Sequence, residues 1–164
     1  MKKYKCIVVA NGQFPLGKIA LEMLQKAEFV IACDGAVMTL EKFRIPDVVV
    51  GDLDSLTPEL QQKYADRLHR VREQETNDLT KAVHYAHEQG FQEVLILGAT
   101  GLREDHTLGN ISLLLQYLPY FERVEILSDF GIMTPLVKSA VLESTPGQQV
   151  SLFSLYPHGT ISVS

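Results

Sequence analysis

The sequence predicts an α/β fold around a mostly parallel sheet, followed by the start of an all-β domain. Two patterns carry that reading. Short apolar runs rich in Val and Ile alternate with segments of helical period as far as about residue 128, which is the pattern of βαβ units. Beyond Ser128 no helical period returns, and strand-like runs broken by Pro-Gly turns follow. A third observation concerns placement: acidic residues stand just after several of the apolar runs, at Asp34, Asp52, Asp54 and Asp105. In a parallel α/β sheet the residues beyond the strand ends gather along one edge, where ligands bind.

Taken in order, the predicted strands are Lys5 to Ala10, Phe29 to Cys33, Val48 to Val50, Leu68 to Val71, Val94 to Leu97 and Val124 to Leu127. Their β-branched content favours strand over helix. A short helix starts at Thr57-Pro58, with the Thr as cap and the Pro in the first turn. A longer one carries Leu79, Ala82, Val83 and Ala86 at helical spacing, with Thr76 as cap and Gly90 as its end. A third runs from about Thr107 to Leu118, its stripe being Leu108, Ile111, Leu115 and Leu118, and Pro119 stops it. The runs Ile132 to Val137, Ala140 to Glu143, Val150 to Leu155 and Thr160 to Val163 then read as successive strands, separated by turns at Pro146-Gly147 and Pro157-His158-Gly159. The expected division is therefore an α/β domain over 1–130 and the first strands of a second domain over 131–164, the chain stopping inside a strand.

Composition narrows the partners. With 15 Lys+Arg against 20 Asp+Glu and a net charge of −5, the chain offers no basic face for a sequence-independent grip on nucleic acid. No apolar run approaches the roughly 20 residues that span a bilayer, and the start lacks a secretion signal. The expectation is a cytoplasmic protein acting on small molecules, without a membrane or nucleic-acid partner. Cys6 and Cys33 both fall inside apolar runs and read as buried free thiols.

Carboxylates gathered at one sheet edge repel one another unless a cation joins them. A divalent metal holding a phosphorylated substrate is the economical reading, because hard oxygen ligands suit Mg²⁺. In Gly51-Asp52-Leu53-Asp54-Ser55 an extended backbone would aim both carboxylates the same way and let them share one cation. An Asx turn leading into the next helix is the alternative. Asp78 sits in a first helical turn, where an acid also suits the macrodipole. Gln74, Thr76, Asn77 and Lys81 crowd the same junction, and Lys81, one turn on, has the reach of a flexible point charge for a phosphate. The stretch Gly98-Ala99-Thr100-Gly101-Leu102-Arg103-Glu104-Asp105-His106 lies between a strand and a helix and suits a phosphate cradle, with Arg103 as a bidentate partner, although it lacks the Walker A spacing. His84 and His87, one turn apart with no third ligand near, read as a solvated face.

Four segments in this order resemble the thiamine pyrophosphokinase family: Cys33-Asp34-Gly35-Ala36, Gly51 to Ser55, Gln74 to Ala82, and Gly98 to Asn110. The resemblance covers residues 30 to 115 best. It implies a Rossmann-like three-layer domain followed by a β-sandwich that helps bind thiamine, in a homodimer with active sites between subunits. It implies Mg²⁺-dependent transfer of pyrophosphate from ATP to the hydroxyl of thiamine, giving AMP and thiamine diphosphate. By motif position, Asp52, Asp54 and Asp78 would hold metal. Lys81, Arg103 and the Gly98, Thr100, Gly101 turn would hold phosphates, and Asp34, Gln74 and Asp105 would line the nucleotide and thiamine side. Asp78, then Asp54, is the expected acceptor of the hydroxyl proton, with Arg103 neutralising charge on the transferred group. Leu102 and Ala36 depart from glycines usual in the family, and the β-sandwich is cut short. The carboxylates and the turn specify the donor more than the acceptor. Another alcohol such as a hydroxymethylpterin, a binding module without turnover, and a metal-dependent phosphohydrolase remain alternatives at this point.

Overall fold

The computed structural model describes residues 3–155 and 160–163. Its strands are β1 (Cys6–Val9), β2 (Phe29–Cys33), β3 (Val48–Gly51), β4 (Leu68–Arg70), β5 (Glu93–Leu97), β6 (Arg123–Ser128) and β7 (Gly131–Met133). They form one sheet in the order β4-β3-β2-β1-β5-β6-β7. All neighbours run parallel except β7, which pairs antiparallel with β6. Each of the six strands expected before residue 128 is present within a residue at either end.

The central strands are buried on both faces, as parallel sheets flanked by crossover helices must be. On one face, Cys6, Val8, Ile31, Val50, Val94 and Ile96 pack under α4 (Asp78–Glu88) and α5 (Glu104–Tyr117). On the other, Ile7, Val9, Val30, Val49 and Leu95 pack with Ala20 and Leu24 of α1 (Lys18–Lys26) and Val37 and Leu40 of α2 (Val37–Leu40). The result is the three-layer α/β arrangement. Both cysteines are buried and free, and burial pushes the Cys6 thiol up to about 12, so it acts as a small apolar side chain.

Of the three helical expectations, one holds and two change in detail. The short α3 (Pro58–Lys63) is capped by Thr57 as its sequence foretold, the side chain accepting from Leu60 N–H. In α4 the cap is Asn77 rather than Thr76: the Asn77 carboxamide accepts from Thr80 N–H at 2.9 Å, while the Thr76 hydroxyl bonds Glu73. In α5 the helix begins at Glu104, earlier than Thr107, and the buried face is Asn110, Leu114 and Tyr117. Leu108 of the expected stripe is 68% exposed and Leu115 half-exposed. That face escaped the apolar pattern because two of its three members are polar: Asn110 donates to Ala99 C=O, and the Tyr117 hydroxyl meets that of Thr80.

The expected strands at Ala140 to Glu143, Val150 to Leu155 and Thr160 to Val163 do not form, and that at Ile132 to Val137 shrinks to β7 on the edge of the main sheet. A strand exists by pairing, and β propensity alone supplies no partner. Val141, Phe153 and Val163 are accordingly exposed. The Pro157-His158-Gly159 turn lies outside the described residues. No helix among the described residues is long and apolar enough to cross a membrane.

Candidate active site

Beyond the ends of β2 and β3 and at the start of α4, three carboxylates converge. Single oxygens of Asp34, Asp52 and Asp78 all lie within 4.8 Å of one another. Parallel register is what brings the first two together, because Cys33 pairs with Val50 and both strands end beside each other. Gly51 leaves the gap: a Cβ there would stand 2.8 Å from the Asp34 Cβ and 3.3 Å from an Asp78 oxygen. A one-carbon side chain at residue 51 would displace the cluster.

Asp34 is buried at 2% exposure and holds a positive φ of 33°, a strained conformation of the kind that clusters at functional sites. Its Oδ2 accepts from Ser55 N–H at 3.3 Å, while its Oδ1 is buried with no hydrogen-bond partner. Burial pushes its carboxyl up to about 6, with the charges of Asp78 and Asp52 adding to the effect and the Ser55 N–H opposing it. Asp52 goes the other way: the Asp54 N–H and then the Gln74 carboxamide hold its carboxyl below the ordinary range. A buried carboxylate with one unpartnered oxygen, grouped with two further carboxylates, fits a hard divalent cation, which takes oxygen ligands and removes their mutual repulsion.

Asp54 does not join this group. Leu53 adopts φ 68°, so the segment turns instead of extending, and the Asp54 N–H donates to Asp52 Oδ1 at 3.1 Å. The Asx-turn alternative is the geometry found, and it leaves the Asp54 side chain exposed. Gln74 stands where expected, donating to Asp52 Oδ2 at 3.2 Å. Lys81 differs from expectation in kind. Its side chain is 3% exposed and its ammonium pairs with Asp78 at 3.2 Å, so it is a fixed buried cation rather than a flexible reaching one.

The second half of the site is the turn after β5. Gly98 and Gly101 hold φ 66° and 77°, and Leu102, standing where the resemblance expects glycine, holds φ 66°. A left-handed leucine costs roughly 1–2 kcal/mol, so Leu102→Gly is expected to raise stability by up to about 1 kcal/mol after glycine's larger unfolded-state entropy is subtracted. Chemical denaturation would show it as a higher midpoint at unchanged slope. Ala36, by contrast, sits at φ −59° and needs no glycine. Arg103 and Asp105 face each other in a bidentate pair, Nε to Oδ1 at 3.1 Å and Nη2 to Oδ2 at 2.5 Å, both largely exposed at the start of α5. The guanidinium holds the Asp105 carboxyl below its ordinary range.

A link between the halves was not foreseen. Asn77 at the start of α4 donates to Asn110 at 3.1 Å, and Asn110, buried in α5, donates to Ala99 C=O in the turn at 2.8 Å. Thr107 Oγ1 accepts from Gly101 N–H at 3.0 Å. An Asn at a core-facing helix position was the available signal. His84 and His87 are exposed and meet Tyr120, in keeping with a solvated face.

A family model described as the thiamin pyrophosphokinase catalytic domain matches residues 20–127. This chain belongs to that family. Thiamin pyrophosphokinase 1 of Caenorhabditis elegans is 28% identical over 123 residues, covering 69% of this chain and 50% of that protein. Thiamine pyrophosphokinase 2 of Oryza sativa subsp. japonica is 33% identical over 164 residues, covering 84% of this chain and 60% of that protein. The crystal structure of thiamine pyrophosphokinase from Bacillus subtilis aligns at TM-score 0.62 and 26% identity, covering 75% of this chain and 60% of that one. That of the Geobacillus thermodenitrificans thiamin pyrophosphokinase aligns at 0.60 and 30% identity, covering 74% and 58%. This chain thus spans between half and two thirds of the length of these relatives. The matched thiamin pyrophosphokinase region contains both the carboxylate group and the glycine turn.

Proposed function

We propose that the chain carries the catalytic part of an ATP:thiamine pyrophosphokinase. The observation that carries the reading is the carboxylate trio, with its unpartnered Asp34 oxygen, inside the region that matches the thiamin pyrophosphokinase catalytic domain. Asp34, Asp52 and Asp78 would hold Mg²⁺, which when bound neutralises phosphate charge and makes the transferred phosphorus more electrophilic. Gln74 orients Asp52, and Lys81 orients Asp78 while lowering the negative charge of the trio. The acceptor hydroxyl attacks the β-phosphorus of ATP in line. The bond from that phosphorus to the oxygen shared with the α-phosphorus breaks, AMP leaves with the shared oxygen, and the hydroxyl proton passes to Asp78 or Asp54. Arg103 and the Gly98–Gly101 turn would hold phosphate oxygens, with Arg103 exchanging Asp105 for the ligand. Such a site works by positioning and by fixed charge.

With β7 belonging to the main sheet, the same reading takes the rest of the expected 131–164 segment as the beginning of a thiamine-binding β-sandwich, and the working form as a cytoplasmic homodimer. The resemblance supports both, and the exposed apolar residues of that segment agree with it. The test is whether AMP forms from ATP and Mg²⁺ only when thiamine is added, with this chain and with one extended beyond Ser164. Thiamine-dependent AMP from either is the expected result. AMP formed equally without thiamine, or with a hydroxymethylpterin in its place, would overturn the assignment of the acceptor.

A further inference from the structure

The loop between β1 and α1 has no role in the mechanism above, yet it occupies the middle of the site. β1 is the strand at which the sheet order reverses: the chain proceeds to β2 on one side, while β5 lies on the other. Ligands of open α/β sheets bind at such a reversal. The carboxylate trio stands on the β2–β3 side of β1 and the glycine turn on the β5 side, so any ligand held by both must cross the loop at residues 11–13.

That loop is fixed in place. The parallel pairing of β1 with β5 continues past the strand ends, with Ala10 N–H on Leu97 C=O at 2.8 Å, Gly12 N–H on Gly98 C=O at 2.7 Å and Gln13 N–H on Thr100 C=O at 2.8 Å. At its far end the Asp129 carboxylate accepts from Leu16 N–H at 3.1 Å and Gly17 N–H at 2.7 Å. Two carboxamides project from this frame onto the bare faces of two glycines. A Cβ on Gly35, the residue after Asp34, would stand 2.8 Å from Asn11 Nδ2, and a Cβ on Gly101 would stand 2.8 Å from Gln13 Oε1. Thus Asn11 borders the trio and Gln13 borders the turn. Both are exposed, and neither side chain makes a hydrogen bond among the described residues, whereas the other site amides, Gln74, Asn77 and Asn110, are all engaged.

We propose that Asn11 and Gln13 contact the nucleotide directly, their carboxamide N–H groups donating to its phosphate and ribose oxygens as it crosses the end of β1. The inference rests on the functional reading above for the presence of a nucleotide. Each carboxamide offers two donors and one acceptor on a backbone already ordered, so binding costs only the side-chain rotamers.

The experiment titrates an ATP analogue with a methylene bridge between its α- and β-phosphorus atoms, which cannot transfer, into the full chain with Mg²⁺ and no thiamine. Asn11→Ala and Gln13→Ala should each weaken the analogue roughly tenfold, the loss that follows removal of a hydrogen bond to a charged group. KM for ATP should rise with them, while KM for thiamine and the thermal midpoint stay at the wild-type values. Asn11→Asp, of the same shape but carrying a charge beside phosphate and trio, should weaken the analogue more than Asn11→Ala. Wild-type affinity in both alanine variants overturns the proposal, as does weakening that comes with a lowered midpoint and an equal rise in KM for thiamine, which would mark the loop as a brace. Wild-type binding of the analogue without thiamine-dependent AMP would overturn the functional reading and leave the contacts standing; no binding by the wild type would overturn both.

Discussion

Asp34→Asn is expected to stabilise the metal-free protein while reducing thiamine-dependent AMP formation by on the order of 10²–10³-fold, the loss typical when one preorganised electrostatic contact is removed. The two effects share a cause. Burial raises the Asp34 carboxyl from 3.8 to about 6, so its ionised form is worse placed in the folded chain than in the unfolded one. For an acid with a raised folded value, the stability contribution is intact below about pH 4 and is lost as pH rises to about 6. Above that the penalty is constant, at up to roughly 3 kcal/mol. The substitution removes the charge, and the new amide nitrogen can donate to Asp52 or Asp78. Thermal unfolding without metal should therefore give the variant a higher midpoint than wild type at pH 8, the two converging toward pH 4. Added Mg²⁺ should raise the wild-type midpoint and leave the variant's nearly unchanged. Asp52→Asn should lose activity to a similar extent without the gain in stability, since its carboxyl is held down by hydrogen bonds and not pushed up by burial. A variant at Asp34 that kept wild-type turnover would remove that carboxylate from the metal group.

The second large effect is expected at Gly98. Its φ of 66° is disfavoured for any residue with a Cβ, and that atom would stand 2.5 Å from the C=O of Ala10, a residue whose own N–H is held by Leu97 C=O. Left-handed strain of roughly 1–2 kcal/mol and overpacking of roughly 1–3 kcal/mol then act at one position. Gly98→Ala should lower stability by about 2–5 kcal/mol on those two figures and shift the turn off β1. Gly90→Ala is the control, with φ 82° and nothing within 4 Å of the added carbon. It shares the left-handed strain and the unfolded-state entropy gain of alanine with Gly98→Ala and lacks the close approach, so it should cost no more than about 1–2 kcal/mol. Equal losses in the two variants, measured by chemical denaturation, would show that the close approach to Ala10 contributes nothing.

Much of this architecture was legible because it rests on local pattern. The Val-rich runs gave strands at their observed places, and Thr57-Pro58 marked a real helix start. What escaped depends on relations that one sequence does not display. The place of Asp34 at the same sheet edge as Asp52 was legible, whereas its closeness to Asp52 and Asp78 depends on β2 lying beside β3 in a particular register, which no spacing along the chain encodes. Asp54 was expected in the metal group on the assumption of an extended backbone, and the left-handed Leu53 breaks that assumption. The buried face of α5 was missed because Asn110 is inside for its hydrogen bonds and not for its hydrophobicity. The strands expected after residue 137 had the propensity and lacked a neighbour to pair with.

The relay from Asn77 through Asn110 to Ala99 has a consequence for how ligand binding is powered. Because one buried side chain ties the start of α4 to the turn after β5, the two banks of the cleft cannot separate or slide without leaving an amide unpaired in the interior. Their spacing is set when the protein folds. On the proposed reading, ordering entropy that a looser cleft would lose on meeting its ligand is lost beforehand, so more of the contact energy would remain for holding the reacting groups in line.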